Sequence, residues 1–572
     1  MASSNKIYRS TCPYCGVGCG VKIHKSLSGS LRIEGDESHP ANKGMLCSKG
    51  MNLHYAAMAP DRLLYPEMRG NRNMPLQRVS WDTALDRAAA VFKALISTYG
   101  PDSVGYYISG QCLTEEYYIA NKIAKGFIGT NNIDTNSRLC MSLAVTAYKL
   151  ALGENSVPLS YDDIELADCF FISDANPAWC HPILFRRLEN HKAVDPDIKI
   201  IVVDSRKTEF CSLADIHLQI KPGTDIVLCH AIARHLIETN KIDLDFITHH
   251  TSGYEAFKEK VSVLSIQEAA DICMIDIDLL IRAADMIGAS KAFISMWATG
   301  LNQSIIEVNK NVSLLNLSLI TGQIGKPGAG PLSLTGQPNA MGGREVGDFS
   351  NMLPAHKNLN SYKDRQEVAD FWGVPTISDK AGLTATEMFD QLLSGRMKAI
   401  WIICTNPLVS LPDARNADAA LRNARFVVVQ DISNTSDTLK YADLVLPAAA
   451  YTEKEGVMTN SDRRISYLAK VIDPPGEALP DIDILCRFAA KMGWKNSFNY
   501  SSNAEIFEEY ARITKNTNID ISGLTYADLI ARRSVQWPVP TPYHPGTPRL
   551  FTDHKFYTPT GLANIISVDS MN

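Results

Sequence analysis

Behind Ser80 the chain turns amphipathic: Trp81, Ala84, Leu85, Ala88, Phe92 and Leu95 recur at helical spacing, and the Ser80 hydroxyl suits an N-cap. The apolar run Val104–Ile108 predicts a strand, and Thr114–Phe127 predicts a second helix. Strand-like and helix-like stretches then alternate to about residue 460, the pattern of an α/β protein with parallel sheets.

One block of this pattern occurs twice. DCFFISDANPAW (Asp168–Trp179) and KAIWIICTNPLV (Lys398–Val409) are buried-type runs that end in Asn176-Pro177 and Asn406-Pro407. Each is followed by a helical stretch and a second strand, IKIIVVDSR (Ile198–Arg206) or RFVVVQDI (Arg425–Ile432). Each then reaches an Ala-Asp strand, ADIHLQIKPGTD (Ala214–Asp225) or ADLVLPAAA (Ala442–Ala450). The reading is two related, Rossmann-like lobes. Ligands of such sheets bind beyond the carboxyl ends of strands, which selects Asn176, Asp204, Asn406 and Asp431 as candidate contacts for two nucleotide-like groups. Asn-Pro as simple strand-ending turn chemistry is the competing reading. No G-x-G-x-x-G or Walker pattern follows a strand, so an NAD-type or P-loop reading has little support.

Composition adds limits. Of 572 residues, 45% are hydrophobic and 21% charged, an ordinary globular mix. Lys plus Arg is 56 against 62 for Asp plus Glu, a net charge of −6 that gives no reason to expect nucleic acid as a partner. No run of about 18 apolar residues predicts a membrane span. MASSNKIYRSTCPYC has neither an apolar signal region nor a twin-arginine pair, so the expectation is a cytoplasmic protein. The 13 Cys, an odd number, then read as reduced thiols instead of a disulfide scaffold.

Four of those thiols crowd together as C-x2-C-x3-C-x27-C: Cys12, Cys15, Cys19 and Cys47. Gly16, Gly18 and Gly20 let the backbone wrap closely around an inorganic core. Four thiolates suit zinc or an iron–sulfur cube. Three in one compact loop with a fourth arriving alone favours the cube over a zinc ribbon with its two C-x2-C pairs. Lys49 follows the last of them and reads either as a surface charge or as a cation between the cluster and a second redox centre. SRLCMS (Ser137–Ser142) carries Cys140 and Met141; taken alone, Cys140 reads as a core thiol. LTGQPNAMGGREVGDF (Leu334–Phe349) sets one cation, Arg344, among glycines, as a loop closing over something or as a plain turn.

Together the N-terminal Cys loop with CSKG, SRLCMS, TGQPNAMGGREVG and YTEKEGVMTNSDRR resemble the molybdopterin-dinucleotide oxidoreductases, and among these the cytoplasmic assimilatory nitrate reductases. The resemblance runs from about Tyr8 to about residue 560. It implies a 4Fe-4S cluster on Cys12, Cys15, Cys19 and Cys47, and Lys49 between it and a pterin. It implies molybdenum on Cys140, in a bis(molybdopterin guanine dinucleotide) cofactor. Gln111, Asn136, Asn176, Asp204, Asp225, Gln303, Asn406, Asp431 and Lys454 fall where the family contacts that cofactor. The implied division is a cluster domain over 1–60, joined by parts of 460–572, a first lobe over 61–135 plus 336–460, and a second over 136–335. The family's further β-rich C-terminal domain is expected to be absent, since the chain stops at Asn572.

Met141 decides the expected substrate. Formate-oxidising relatives typically carry a His after the metal ligand, a base for proton handling, and Met cannot take a proton. Nitrate needs a cation to draw it in, and Arg344 offers a fixed charge with a planar fork. The expectation is therefore two-electron reduction of nitrate to nitrite by oxygen-atom transfer to molybdenum. Electrons would come through the cluster from an external donor, either a ferredoxin, a flavodoxin or a reductase subunit, because no flavin or NAD motif and no second Cys set is present. A formate dehydrogenase and a non-catalytic, cluster-carrying electron-transfer subunit remain the alternatives.

Overall fold

The computed structural model of the protein describes residues 6–304 and 308–570. The first five residues, on which the reading of the chain's start partly rests, and Asn572 lie outside that range. The chain opens with three antiparallel strands, Lys6–Thr11, Gly20–Lys25 and Leu31–Gly35. Thr11 pairs with Gly20, and Cys12 N–H donates to Cys19 O at 2.8 Å. The Cys-rich segment is thus a hairpin loop with Cys12 and Cys19 at its base, and Cys47 stands at the N-cap of the short helix Ser48–Met51.

The first lobe is a seven-stranded sheet in the order Gln77–Arg78, Glu67–Met68, Leu444–Pro447, Phe426–Asp431, Ala399–Ile403, Val104–Ile108, Ile133–Thr135.

 The five strands from Leu444–Pro447 to Ile133–Thr135 run parallel, with Ala399–Ile403 at their centre. The second lobe is an all-parallel sheet, Ile216–Leu218, Lys199–Val203, Cys169–Ser173, Phe293–Trp297, Gly330–Ser333. These are continuous apolar runs because both faces are covered by helices.

The duplicated block has the same course in both lobes. Cys169–Ser173 and Ala399–Ile403 are central strands, each paired with the next strand of its block. Each ends on a residue with positive φ, Asp174 (49°) or Cys404 (53°), and then on an Asn that caps a short helix, Pro177–Cys180 or Pro407–Ser410. The outer strands differ in origin. The first lobe takes Val104–Ile108 and Ile133–Thr135 from before its block, whereas the second takes Phe293–Trp297 and Gly330–Ser333 from after it.

The helix behind Ser80 spans Trp81–Tyr99, and Ser80 accepts from the Thr83 N–H. Its Phe92 joins Tyr106, Trp401 and Phe488, with Trp401 and Phe488 ring centres 4.8 Å apart. Each such buried ring contributes about 1.5–3 kcal/mol, and together they tie the first sheet to the helix Asp481–Met492. The expected helix over Thr114–Phe127 is corrected in part. It is α-helical over Thr114–Asn121 and continues as a π-helix over Lys122–Ile128. The wider winding accompanies an inward turn of Lys125, whose ammonium donates to the carbonyls of Gly347, Phe349 and Met352. Parts of the chain after 460 pack on the N-terminal strands: Thr11 donates to Tyr467 O at 2.9 Å, and Arg533 pairs with Asp36 at 2.8 Å.

Candidate active site

Cys12, Cys15, Cys19 and Cys47 line one cavity of about 100 Å³, together with Lys49, Tyr14, Trp179 and Cys180. Burial pushes the Cys15 thiol up to about 11, and Cys12 and Cys19 are raised as well, first by burial and then by neighbouring Cys. Such thiols become ligands only if a cation repays the loss of their protons. The four thiols line one space, as the four corners of an iron–sulfur cube require. Lys49 is exposed on the rim, and its charge acts on Cys12 and Cys15 in the opposite sense to burial.

The Cys hairpin is fastened to the loop beside Cys140. Gly16 N–H donates to Gly336 O at 3.1 Å, and a Cβ on Gly336 would stand 3.5 Å from Cys140 Sγ. Gly16 has to be glycine for this approach, because a Cβ there would lie 2.1 Å from Thr335 O. Cys140 is half-buried in the first turn of the helix Arg138–Leu152. Burial raises its thiol, while a backbone N–H of Gly336 and the Arg344 charge pull it down. Next to it a cleft of about 680 Å³ opens between Arg138, Leu139, Asn302, Gln303, Ser410 and Pro412, from both lobes. Met141 is turned away from that cleft, 1% exposed, with Asn302 Nδ2 3.0 Å from its Sδ. Arg344 is 4% exposed on the helix Ala340–Glu345, and its Nε has no hydrogen-bond partner.

The other expected contacts fall into three groups. Gln111, Asp431 and Lys454 share a cavity of about 140 Å³ at the carboxyl ends of the first-lobe strands. Asn136 accepts from Gly110 N–H at 2.7 Å and Gln303 donates to Leu139 O at 2.8 Å, which places both near Cys140. Asn176 and Asp204 lie just beyond second-lobe strands, Asp225 opens the helix Asp225–Glu238 against Asp174, and Asn406 accepts from Thr438 at 2.9 Å in the first lobe. Asn176 Oδ1 is buried without a partner, an atom left for a polar ligand.

Sequence reasoning missed the ionic groups behind these positions. Lys454 pairs with Glu116 at 2.7 Å and Asp481 at 2.6 Å. Burial pushes Glu116 up to about 7 despite the Lys454 charge. In the second lobe Asp174 is pushed up to about 8 by burial and by its hydrogen bond to Asp225, which also pairs with Lys310 at 2.7 Å. Asp174 occupies the place of Cys404 in the duplicated block, and that correspondence was the one signal available.

Residues 62–491 match the model of the molybdopterin oxidoreductases, and residues 5–57 match that family's Fe4S4 domain. The chain is 42% identical to a nitrate reductase of Synechocystis sp., over 97% of this chain and 80% of that one. It is 40% identical to a nitrate reductase of Shewanella frigidimarina, covering 98% of this chain but only 61% of that protein's length. It is also 36% identical to the F420-dependent formate dehydrogenase subunit alpha of Methanocaldococcus jannaschii, over 99% of this chain and 81% of that one. The fold matches the solved acetylene hydratase of Pelobacter acetylenicus with a TM-score of 0.78, at 21% identity, over 97% of this chain and 77% of that one. Both the Cys-rich start and the two-lobed body are thus accounted for by a single lineage, and the chain belongs to the molybdopterin oxidoreductase family.

Proposed function

We propose that the protein reduces nitrate to nitrite. In this reading Cys140 holds the molybdenum of a bis(molybdopterin guanine dinucleotide) cofactor, and Cys12, Cys15, Cys19 and Cys47 hold a 4Fe-4S cluster. When bound, the molybdenum–pterin group supplies the two-electron oxygen-atom transfer, and the cluster supplies electrons one at a time. The chain's own residues place and charge these groups. Gln111, Asp431 and Lys454 would hold one dinucleotide arm in the first lobe, with Asn136 and Asn406 beside it. Asn176, Asp204, Asp225 and Gln303 would hold the other. Lys49 would bridge cluster and pterin, and Arg344 would draw the anion toward Cys140.

The observation that carries this reading is Gly336. It bonds the cluster loop through Gly16 and touches the Cys140 thiol, so the two centres share one short protein bridge. A formate dehydrogenase is the second reading, favoured by the 36% identity to one such subunit. Met141 opposes it, because no imidazole follows the metal-binding Cys.

Cys140→Ala should abolish nitrite formation with a reduced dye while the cluster's spectrum survives; retained activity would remove Cys140 as the metal ligand. The finer form of the proposal is an assimilatory, cytoplasmic enzyme fed by a ferredoxin, a flavodoxin or a reductase subunit. Replacing the dye by each reduced carrier in turn, and reading nitrite, identifies the donor.

A further inference from the structure

Two arginines belong to this region: Arg138 lines the cleft beside Cys140, and the Arg344 charge acts on the Cys140 thiol. Arg138, on the same helix, donates to Asp134 twice, at 3.0 and 3.1 Å, and to Asn351 at 3.0 Å. It also stacks 4.1 Å over the Phe349 ring. Its charge is spent inside the protein. Arg344 has no such carboxylate: Nη2 reaches only Met341 Sδ at 3.0 Å, and Nε is buried and unbonded.

A second unmatched group lies beside it. Asp348 is 0% exposed, and neither carboxyl oxygen has a hydrogen-bond partner. Its N–H donates to Gly343 O at 2.9 Å, and a Cβ on Gly343 would stand 2.3 Å from its Oδ2. The carboxyl therefore sits directly under the helix that carries Arg344, in space that a glycine leaves open. The groups facing it are Arg344, Lys125, Arg138, Asp134 and the Tyr117 hydroxyl. Lys125 is committed to three carbonyls, and Asp134 to Arg138 and the N–H of Ala385. Glu345 and Glu154 also act on Arg344, but Glu345 accepts from Trp537, Thr459 and Tyr510, and Glu154 accepts from Asn155 N–H and Asn518. Arg344 and Asp348 remain as the cation and the acid without committed partners in this group.

We propose that Asp348 sets how much of the Arg344 charge is offered to an oxyanion beside Cys140: as a neutral acid it leaves the guanidinium uncompensated, and as a carboxylate it cancels it. Asp348 is a positioning residue, acting through Arg344 without touching substrate. The proposal rests on the reading of this cleft as a nitrate site. Burial and the Asp134 charge push the Asp348 carboxyl up to about 7, against the pull of Arg344, Lys125 and Arg138. The direction gives the sign: anion affinity falls as Asp348 ionises with rising pH, and Lys125, which burial pushes down to about 7, loses its charge over the same range.

The test compares the holoprotein with Asp348→Asn, which has nearly the same shape and no ionisable proton. Nitrate KM and kcat are measured from about pH 6 to about pH 8.5 with a reduced dye. The KM of the parent should rise about fivefold across this range, the size expected when about 1 kcal/mol of charge attraction is lost. The KM of Asp348→Asn should stay lower than the parent's and rise less, the remaining slope coming from Lys125, with the difference falling on KM more than on kcat. A KM profile for Asp348→Asn that follows the parent overturns the proposal. Calorimetric binding of nitrate, and separately of formate, to both holoproteins separates this from the failure of the nitrate reading. If the parent forms no nitrite, the nitrate reading fails, and a steeper pH dependence of anion binding in the parent than in the variant still upholds Asp348. Equal pH dependence in both proteins, or no anion binding in either, overturns it.

Discussion

The buried charges of this protein differ in their partners, and those partners decide what each can do. Lys454 is held between two carboxylates, so its removal leaves Glu116 and Asp481 buried without a cation. Lys454→Met should therefore cost about 3–5 kcal/mol of stability, read as a lower denaturant midpoint. Asp348 gives a pH dependence of opposite origin. The unfolded chain loses this proton near the ordinary carboxylate value, whereas the folded protein keeps it to about 7. The folded state is thus penalised as pH rises between those values, and the penalty is full above about 7. Asp348→Asn removes it, so the melting temperature of the variant should gain on the parent from about pH 5 to about pH 8. An unchanged difference would show that the carboxyl finds partners. At this scale legibility depended on pattern. Four cysteines in one spacing announce themselves, and SRLCMS was readable by resemblance. A lone carboxylate such as Asp348 has no signature, because its chemistry comes from burial and from neighbours distant in sequence.

Among the elements, the hairpin Cys12–Cys19 and the loop around Gly336 matter most, since they join the two proposed centres. The join depends on close backbone approach at Gly16. Gly16→Ala should force the hairpin off Thr335, so iron per chain should fall and the cluster's visible absorption should weaken. Full iron content in that variant would show that the contact is dispensable. Strand Val104–Ile108, the Ser80 cap and the buried face of the helix behind it follow directly from apolar periodicity. The duplicated block was legible because both copies keep an apolar strand ahead of Asn-Pro. The π-helical turn at Lys122–Ile128 was not, because an extra residue per turn leaves the helical spacing almost intact, and its cause is the tertiary anchoring of Lys125.

For the whole molecule, the two lobes face each other across a cleft of about 680 Å³ beside the helix of Cys140, with the Cys-rich hairpin fastened at the adjoining loop. The parallel class of both sheets could be read from the sequence. The strand order could not, since one lobe completes its sheet with earlier strands and the other with later ones. No helix among the described residues is long and apolar enough to cross a membrane. The proposed nitrate reduction requires electrons to pass from the thiol-lined cavity to Cys140 and then to nitrate. The most direct measurement reduces the purified protein without oxygen, removes the reductant, and adds nitrate while the cluster's paramagnetic signal and nitrite are followed together. The signal of the reduced cluster should disappear as nitrite forms, at about two electrons per nitrite, while Cys140→Ala should keep its signal and form none. A cluster that stays reduced in the parent, with no nitrite, would contradict it.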